Sequence, residues 1–114
     1  MGGYNLFRGE HASYNPILMN QILKEEWQWD GVVISDWGAV HDTHTAIIGG
    51  LDMEFGSWTD GLTEGTSNAY DNYWLANSYL KGIKEGIYTD KELNEKVRRV
   101  LRLTFRTAMN NDRP

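Results

Sequence analysis

The stretch that decides the fold reads Gly31-Val32-Val33-Ile34-Ser35-Asp36-Trp37-Gly38. Three β-branched residues follow one another without a polar residue between them, which is typical of a strand covered on both faces. Such strands belong to parallel sheets of α/β proteins, in which helices pack on both sides. Asp36 comes directly after the strand, where a buried carboxylate would be costly without a partner or a task.

Helix signals lie on both sides of this strand. Asn15-Pro16 combines a strong N-cap with a residue preorganised for the first helical position. Apolar residues follow at helical spacing, with Trp27 after them, and predict one buried face. Asp42 predicts the N-cap of a second helix, which Gly49-Gly50 ends. Residues 51–55 predict another short strand, and residues 1–6 predict the end of a preceding one.

The C-terminal half predicts a loop and two further helices. Residues 56–69 are rich in Gly, Ser, Thr and Asp and predict a long surface loop, and a helix is expected from about Tyr70 to Glu85, with Gly86 at its end. Thr89 to Glu92 has the form of a capping box. The helix after it carries one apolar face, made of Leu93, Val97, Val100, Leu101, Thr104, Phe105 and Ala108.

Charged residues on this last helix are spaced as i,i+4 pairs. Glu92 with Lys96, and Glu95 with Arg99, are expected to pair on its outer side. The whole order is strand, helix, strand, helix, strand, helix, helix, and this alternation is typical of parallel βαβ units. Three strands are too few to close a barrel and would leave an apolar edge unpaired. The pattern therefore predicts a slice of a larger α/β domain.

Composition excludes several classes of partner. The net charge is −5 and the cations form no basic stripe, which argues against nucleic acid. No apolar stretch approaches about 18 residues, so no membrane-spanning segment is expected, and the N-terminus has no signal-peptide pattern. There are no cysteines. Five Trp and six Tyr residues suit a carbohydrate site, although aromatic residues also fill cores. The compartment stays open.

Candidate chemical groups follow the strands, because α/β barrels carry their reactive groups at the carboxyl ends of strands. Three positions meet that rule: Tyr4-Asn5, Asp36-Trp37 and Glu54. For Asp36, a catalytic role and a role as helix cap or loop hydrogen-bonder are equally compatible with its spacing alone.

Other kinds of chemistry find less support in the residues. His41, Asp42 and His44 could contribute to a metal site, but they lie where a helix begins and nothing elsewhere completes the set, so no metal is expected. Ser35 lacks the Gly-x-Ser-x-Gly elbow of Ser hydrolases. Residues 56–65 lack the Lys and Ser/Thr of a phosphate-binding loop. No cofactor is expected.

The chain resembles glycoside hydrolase family 3. The resemblance is most specific in the Ser35-Asp36-Trp37 run after the Asp30-Gly31-Val32-Val33 strand entry. The start of the chain through Asn5, the Asn15-Pro16 helix, residues 50–54 and residues 96–103 support it, so it covers nearly the whole chain. By this resemblance, residues 1–109 are the C-terminal part of the family's first domain, and residues 110–114 begin an interdomain linker. That domain is a (β/α)₈ TIM barrel or near variant, of which this chain would supply about the last three βα units.

The resemblance also implies a chemistry. Asp36 would be the catalytic nucleophile of a retaining β-glycosidase, attacking the anomeric carbon of a β-glucoside or oligosaccharide. Trp37 would help shape the sugar site, and Met1 and Tyr4 match positions that line the subsite of the non-reducing sugar. Retaining hydrolysis also needs an acid/base carboxyl about 5–5.5 Å from the nucleophile. In the family that carboxyl comes from a following sandwich domain.

This sequence departs from the family by lacking that sandwich domain and the earlier barrel strands. Glu54 and Glu64 could substitute for the acid, but neither matches the family's acid position. The chain on its own is therefore expected to be inactive. The alternatives are a non-catalytic sugar-binding or interaction module that has kept the pocket, and an unrelated α/β enzyme with a metal on His41 and His44.

Overall fold

The computed structural model describes residues 1–56 and 73–108. Strands β1 and β2 form an antiparallel pair near the N-terminus, and a 3₁₀ turn, a π-helix and three α-helices follow. Their bounds are β1 Leu6–Phe7, β2 Glu10–His11, 3₁₀ turn Ala12–Tyr14, π-helix Ile17–Glu26, α1 Thr43–Ile48, α2 Asn77–Lys84 and α3 Asp90–Ala108. None of the helices in these two ranges is long and apolar enough to cross a membrane.

Parallel pairing joins the three strand segments that the sequence predicts. Gly2 pairs with Ser35, and Ile34 pairs with Met53, both in parallel. The Gly2 amide donates to the Ile34 carbonyl at 2.8 Å, and the Ser35 amide donates to the Met53 carbonyl at 3.0 Å. The parallel α/β arrangement is therefore confirmed, with residues 34–35 in the centre.

The pairing is shorter than the predicted strands. It consists of isolated bridges in the described residues, because the carbonyl of Val33 accepts from the amides of both Asp52 and Met53. One acceptor shared by two successive donors interrupts the even spacing of a parallel ladder. The β1–β2 hairpin was not predicted. Arg8 and Gly9 both have positive φ, as a two-residue type I′ hairpin loop requires.

The predicted helix caps are confirmed. The Asn15 carboxamide oxygen accepts from the amides of Ile17 at 3.0 Å and Leu18 at 3.2 Å. The Asp42 carboxylate accepts from the Thr45 amide at 2.6 Å. The Thr89 amide and hydroxyl both donate to Glu92, as in a capping box.

The first predicted helix differs in its winding and in its buried face. It is a π-helix over Ile17–Glu26, in which wider turns shift side chains away from α-helical spacing. The Trp27 amide accordingly donates to the carbonyl of Ile22, five residues earlier. The prediction that Trp27 lies on the buried face is wrong, because its side chain is 69% exposed.

The apolar core lies between the central strand and the helices. Tyr14, Val33, Val40, Ala46 and Leu51 form one buried cluster. Four partly buried side chains pack around it: Met19, Leu23, Trp74 and Leu75. The core thus joins residues from the 3₁₀ turn, the central strand and α1.

Helix α2 begins later than predicted, at Asn77, and it ends before Gly86, whose φ of +73° ends the helix as expected. The first residues of the predicted helix, 70–72, lie outside the described residues. The same is true of most of the predicted loop and of the predicted linker.

The buried face of helix α3 carries two cations. Lys96 is 7% exposed and Arg99 is 9% exposed, whereas Leu93, Val97, Leu101 and Phe105 are all more than a third exposed. The prediction that the ion pairs lie on the outer side is therefore wrong for both cations, although the Arg99–Glu95 pair itself forms at 3.1 Å. The Lys96 ammonium donates to the carbonyls of Ile47 and Leu51 instead of pairing with Glu92. Backbone carbonyls at the end of α1 and in the segments that lead into the strands accept from these cations.

A buried carboxylate, Asp52, joins the elements at the amino ends of the strands. Its side chain is 1% exposed, and it accepts from the Lys24 ammonium at 2.8 Å and from the Val33 amide at 2.8 Å. The Arg99 guanidinium lies 3.9 Å from it and donates to the carbonyls of Trp29 and Gly31. One side chain thus contacts the π-helix, the central strand and α3.

Replacing Asp52 by Asn should destabilise the chain strongly. The substitution leaves the Lys24 ammonium buried without its counter-charge, and breaking a buried pair costs about 3–5 kcal/mol. Urea unfolding at neutral pH measures the loss. The matched control is Glu85→Gln, which breaks an exposed i,i+4 pair with Lys81 and should change stability by less than about 1 kcal/mol. Equal midpoints for the two variants would contradict the role given to Asp52.

Lys96 should make stability rise with pH in the mildly alkaline range. Burial lowers the pKa of Lys96 to about 8 from its ordinary 10.5. Between these two values the unfolded chain binds more protons than the folded chain, so stability increases with pH. From about pH 7 to about pH 9.5, the native chain should gain about 2 kcal/mol relative to Lys96→Met.

Urea unfolding of both proteins at the two pH values measures this difference. The upper pH of about 9.5 limits any contribution from the ionisation of Tyr14 and Tyr79. Burial raises the pKa of each to about 12, so their ionisation would make stability fall with pH, opposite to the effect of Lys96. A stability difference between native chain and Lys96→Met that does not change with pH would contradict the prediction.

Candidate functional site

Three of the predicted site residues meet at the carboxyl end of the central strand. The Tyr4 hydroxyl donates to the Trp37 carbonyl at 2.7 Å. The Trp37 amide donates to Asp36 Oδ1 at 2.8 Å. Tyr4 comes from the segment that pairs with the central strand through Gly2, so parallel pairing brings it beside Asp36. The site therefore brings the Asp36 carboxylate, the Tyr4 phenol and Trp37 together at one end of the sheet.

The chemistry of Tyr4 reflects this neighbour. Burial raises the pKa of the Tyr4 phenol, and the hydrogen bond with Asp36 and the charge of Asp36 raise it further. A negative carboxylate disfavours a second negative charge on an adjacent phenolate. Tyr4 accordingly stays a protonated hydrogen-bond donor next to Asp36.

Trp37 presents part of its indole to solvent and packs the rest on the third strand segment. Its side chain is 51% exposed. The Phe55 ring meets the indole edge-to-face, with a centroid distance of 4.1 Å and an interplanar angle of 75°. An exposed aromatic face beside a carboxylate can pack against the C–H groups of a sugar ring.

Met1 lies on the neighbouring strand segment. It precedes Gly2, whose backbone pairs with Ser35, and its side chain is 67% exposed. The backbone pairing brings it to the strand beside Asp36, but Met1 makes no side-chain contact comparable to those of Tyr4 and Trp37 within the described residues.

Glu54 performs a structural task. Its carboxylate accepts from the amide of Trp74 at 3.2 Å and from the amide of Leu75 at 2.6 Å. These bonds hold the segment that leads into α2 against the third strand. Glu64, the other candidate acid, lies outside the described residues.

The histidines that suggested a metal take separate partners. His41 stacks on His11 with a centroid distance of 4.4 Å, and His44 Nδ1 lies 3.3 Å from the Tyr88 hydroxyl. Asp42 caps α1, and its hydrogen bonds from Thr45 lower its pKa. Within residues 1–56 and 73–108, no group of three His, Cys, Asp or Glu side chains could hold a metal ion.

Sequence reasoning missed two residues that shape the site. Phe55 was predicted only as the end of a strand, although it contacts Trp37. Ser35 was considered only as a nucleophile, yet it is fully buried and its Oγ accepts from the Phe55 amide at 2.8 Å. The parallel order of the strands was the available signal, because it brings residues 35–37 next to residues 53–55.

Together, the parallel strands and the carboxylate beside exposed aromatic residues at their carboxyl end define an α/β protein with a candidate carbohydrate site. The family model described as the glycosyl hydrolase family 3 N terminal domain matches residues 1–103. The chain belongs to glycoside hydrolase family 3, which confirms the resemblance seen in the sequence.

Relatives and solved structures agree with this assignment. A β-glucosidase of Bacteroides ovatus is 54% identical over 114 residues, which are all of this chain and 15% of that protein. The thermostable β-glucosidase B of Acetivibrio thermocellus is 34% identical over 96% of this chain and 13% of its own length. The crystal structure of a β-glucosidase from Chaetomella raphigera matches 98% of this chain and 14% of its own, with a TM-score of 0.76 and 28% identity. The chain thus spans a small part of the relatives that it matches.

The contact between Tyr4 and Asp36 can be tested by titration. Replacing Asp36 by Asn removes a negative charge that raises the Tyr4 pKa, so the phenol should ionise at lower pH in the variant. Phenolate absorbance measures the ionisation. In the native and in the Asp36→Asn background, the titration of the matching Tyr4→Phe protein is subtracted. The difference is the titration of Tyr4 without the other tyrosines. A Tyr4 titration that is the same in both backgrounds would contradict the contact.

Proposed function

We propose that this chain is the C-terminal part of the barrel domain of a retaining β-glucosidase. Residues 1–109 would supply about the last three βα units of a (β/α)₈ barrel, and residues 110–114 would begin the linker to the next domain. The parallel bridges between residues 2, 34–35 and 53 support this assignment to adjacent strands of a barrel. The relatives named above are β-glucosidases, and the chain corresponds to 15% and 13% of the two sequences.

One observation carries the catalytic assignment. Asp36 ends the central strand, and its Oδ1 accepts from the Trp37 amide at 2.8 Å. The Tyr4 hydroxyl, which donates to the Trp37 carbonyl at 2.7 Å, lies beside it. In barrel enzymes the reacting groups come from this end of the strands. We therefore assign Asp36 as the nucleophile.

The reaction proceeds in two displacements. An Asp36 carboxylate oxygen bonds to the anomeric carbon while the bond from that carbon to the aglycone oxygen breaks, and an acid protonates the departing oxygen. Water then attacks the same carbon, its proton passes to the former acid, and the Asp36 ester bond breaks. The Trp37 amide, which donates to Oδ1, holds the carboxylate in one orientation for both steps.

The sugar is a β-glucoside in this proposal, as a monosaccharide derivative or at the end of an oligosaccharide. The indole of Trp37 would pack on the C–H face of the ring, and the Tyr4 hydroxyl and Met1 would line the subsite of the non-reducing sugar. The β-glucosidase of Kluyveromyces marxianus was solved in complex with glucose, and that structure matches 94% of this chain with a TM-score of 0.71.

The remainder of the site would come from outside this chain. Glu54 is engaged by two backbone amides, which argues against a role as the acid. The rest of the barrel would complete the sugar pocket, and a C-terminal sandwich domain would supply the acid/base. General acid–base catalysis contributes about 10²–10⁴-fold, so the isolated chain should be inactive.

The nucleophile is tested in the full-length protein that contains this chain. Asp36→Asn should lower kcat on an aryl β-glucoside by at least about a thousandfold, because removing a catalytic nucleophile abolishes the covalent route. A 2-deoxy-2-fluoroglucoside with a good leaving group should label the native protein covalently. Mass spectrometry of the digested protein should find the sugar on the peptide that contains Asp36.

The control is Glu54→Gln, which should keep kcat within about tenfold of the native value because it removes no reacting group. A larger loss in Glu54→Gln would instead point to Glu54 as the acid. Activity and labelling that survive Asp36→Asn would contradict the proposal. They would favour the alternative in which this part of the protein only binds sugar.

A further inference from the structure

We infer that Phe55 is a positioning residue for the sugar site and that it acts by holding the indole of Trp37. This inference rests on the proposed function, in which Trp37 contacts the sugar. It adds the end of the third strand segment to the site and gives it a defined task. Neither Phe55 nor Gly56 was among the candidate site residues of the sequence.

Ring packing is the first observation behind it. The Trp37 side chain is 51% exposed, so only part of its indole is packed by the described residues. Phe55 meets it at 4.1 Å and 75°, an edge-to-face geometry that directs the positive ring edge of one partner at the negative face of the other. This geometry favours one orientation of the indole over others.

Gly56 supplies the second observation. A Cβ added at Gly56 would overlap Cδ1 and Nε1 of the Trp37 indole. The φ of Gly56 is +59°, a conformation that glycine adopts without strain. The backbone after Phe55 therefore turns against the indole so closely that no side chain fits between them.

The third observation is that a buried side chain holds the backbone of Phe55 in place. Its amide donates to Ser35 Oγ at 2.8 Å, and Ser35 is fully buried. Ser35 directly precedes Asp36, so one hydrogen bond links the residue beside the nucleophile to the residue that contacts the indole. Asp36 and Trp37 thus share a common frame, and a site that is held in this way keeps its geometry between substrates.

Such a role predicts a change in substrate binding. Phe55→Leu keeps an apolar side chain but removes the ring edge. The interaction energy of an aromatic pair of this kind corresponds to about a three- to tenfold change in an equilibrium constant. In the full-length protein, KM for an aryl β-glucoside should rise by about that factor with kcat nearly constant, because the indole contacts ground state and transition state alike. Phe55→Tyr, which retains the ring edge, should restore the native KM.

A double-mutant cycle separates positioning from general destabilisation. In a Trp37→Ala background Phe55→Leu should have no further effect on kcat/KM, because the group that it positions is gone. The matched control is Phe105→Leu, the same loss of a ring on the face of α3 that the rest of the barrel domain would cover. It should change stability and leave KM unchanged.

The outcomes distinguish this inference from the proposed function. Additive effects of Phe55→Leu and Trp37→Ala, or a loss in kcat that Phe55→Tyr does not restore, would overturn the positioning role even where Asp36→Asn abolishes activity. Full activity in Asp36→Asn would instead overturn the proposed function on which the inference rests. Coupled effects on KM, together with an inactive Asp36→Asn protein, would support both.

Discussion

The buried carboxylate of Asp52 is the interaction on which the rest of the described structure depends. It accepts from the Val33 amide in the central strand and from the Lys24 ammonium of the π-helix, and it lies 3.9 Å from Arg99 of α3. Burial lowers the pKa of Lys24, while the hydrogen bond and the charge of Asp52 oppose that effect. A buried pair is stable only when its remaining donors are satisfied, and here the Gly50 carbonyl accepts from Lys24 at 2.7 Å. The cluster therefore fixes the amino ends of the strands with charge–dipole and ionic contacts rather than with apolar packing alone.

This arrangement explains the orientation of α3. Its cations contact the rest of the chain. Lys96 donates to the carbonyls of Ile47 and Leu51, and Arg106 forms a two-point ion pair with the Asp30 carboxylate at 2.7 and 2.8 Å. The opposite face carries the exposed apolar side chains of α3. A row of exposed apolar residues on one helix face is unusual for the surface of a soluble protein. Under the proposed function, neighbouring elements of the complete barrel domain would cover that face.

Local signals in the sequence were sufficient for some features and not for others. The Asn15, Asp42 and Thr89 caps were predictable because a cap depends on residues within four positions. The parallel order followed from the alternation of strands and helices. The inward direction of Lys96 and Arg99 was not predictable, because an i,i+4 spacing is equally compatible with a solvent-exposed pair. The carbonyls that accept from these cations belong to residues 29–31 and 47–51, which only the tertiary structure brings next to α3. The contact of Phe55 with Trp37 likewise depends on strand register, which sequence alone did not determine.

Two aspartates near the central strand show how environment assigns different tasks to one side chain. Asp52 contacts the central strand at Val33. Asp36 lies three residues after Val33, which is about 10 Å along an extended chain. Asp52 is enclosed by cations and an amide, so its charge is neutralised by its surroundings and no substrate can reach it. Asp36 is only partly buried, the Trp37 amide donates to its carboxylate, and the Tyr4 phenol lies beside it. Under the proposed function, Asp36 is the aspartate that reaches the substrate, and the Trp37 amide orients its carboxylate. Under the proposed function, the buried ionic cluster holds the amino end of the strand, and the carboxyl end carries the reacting carboxylate.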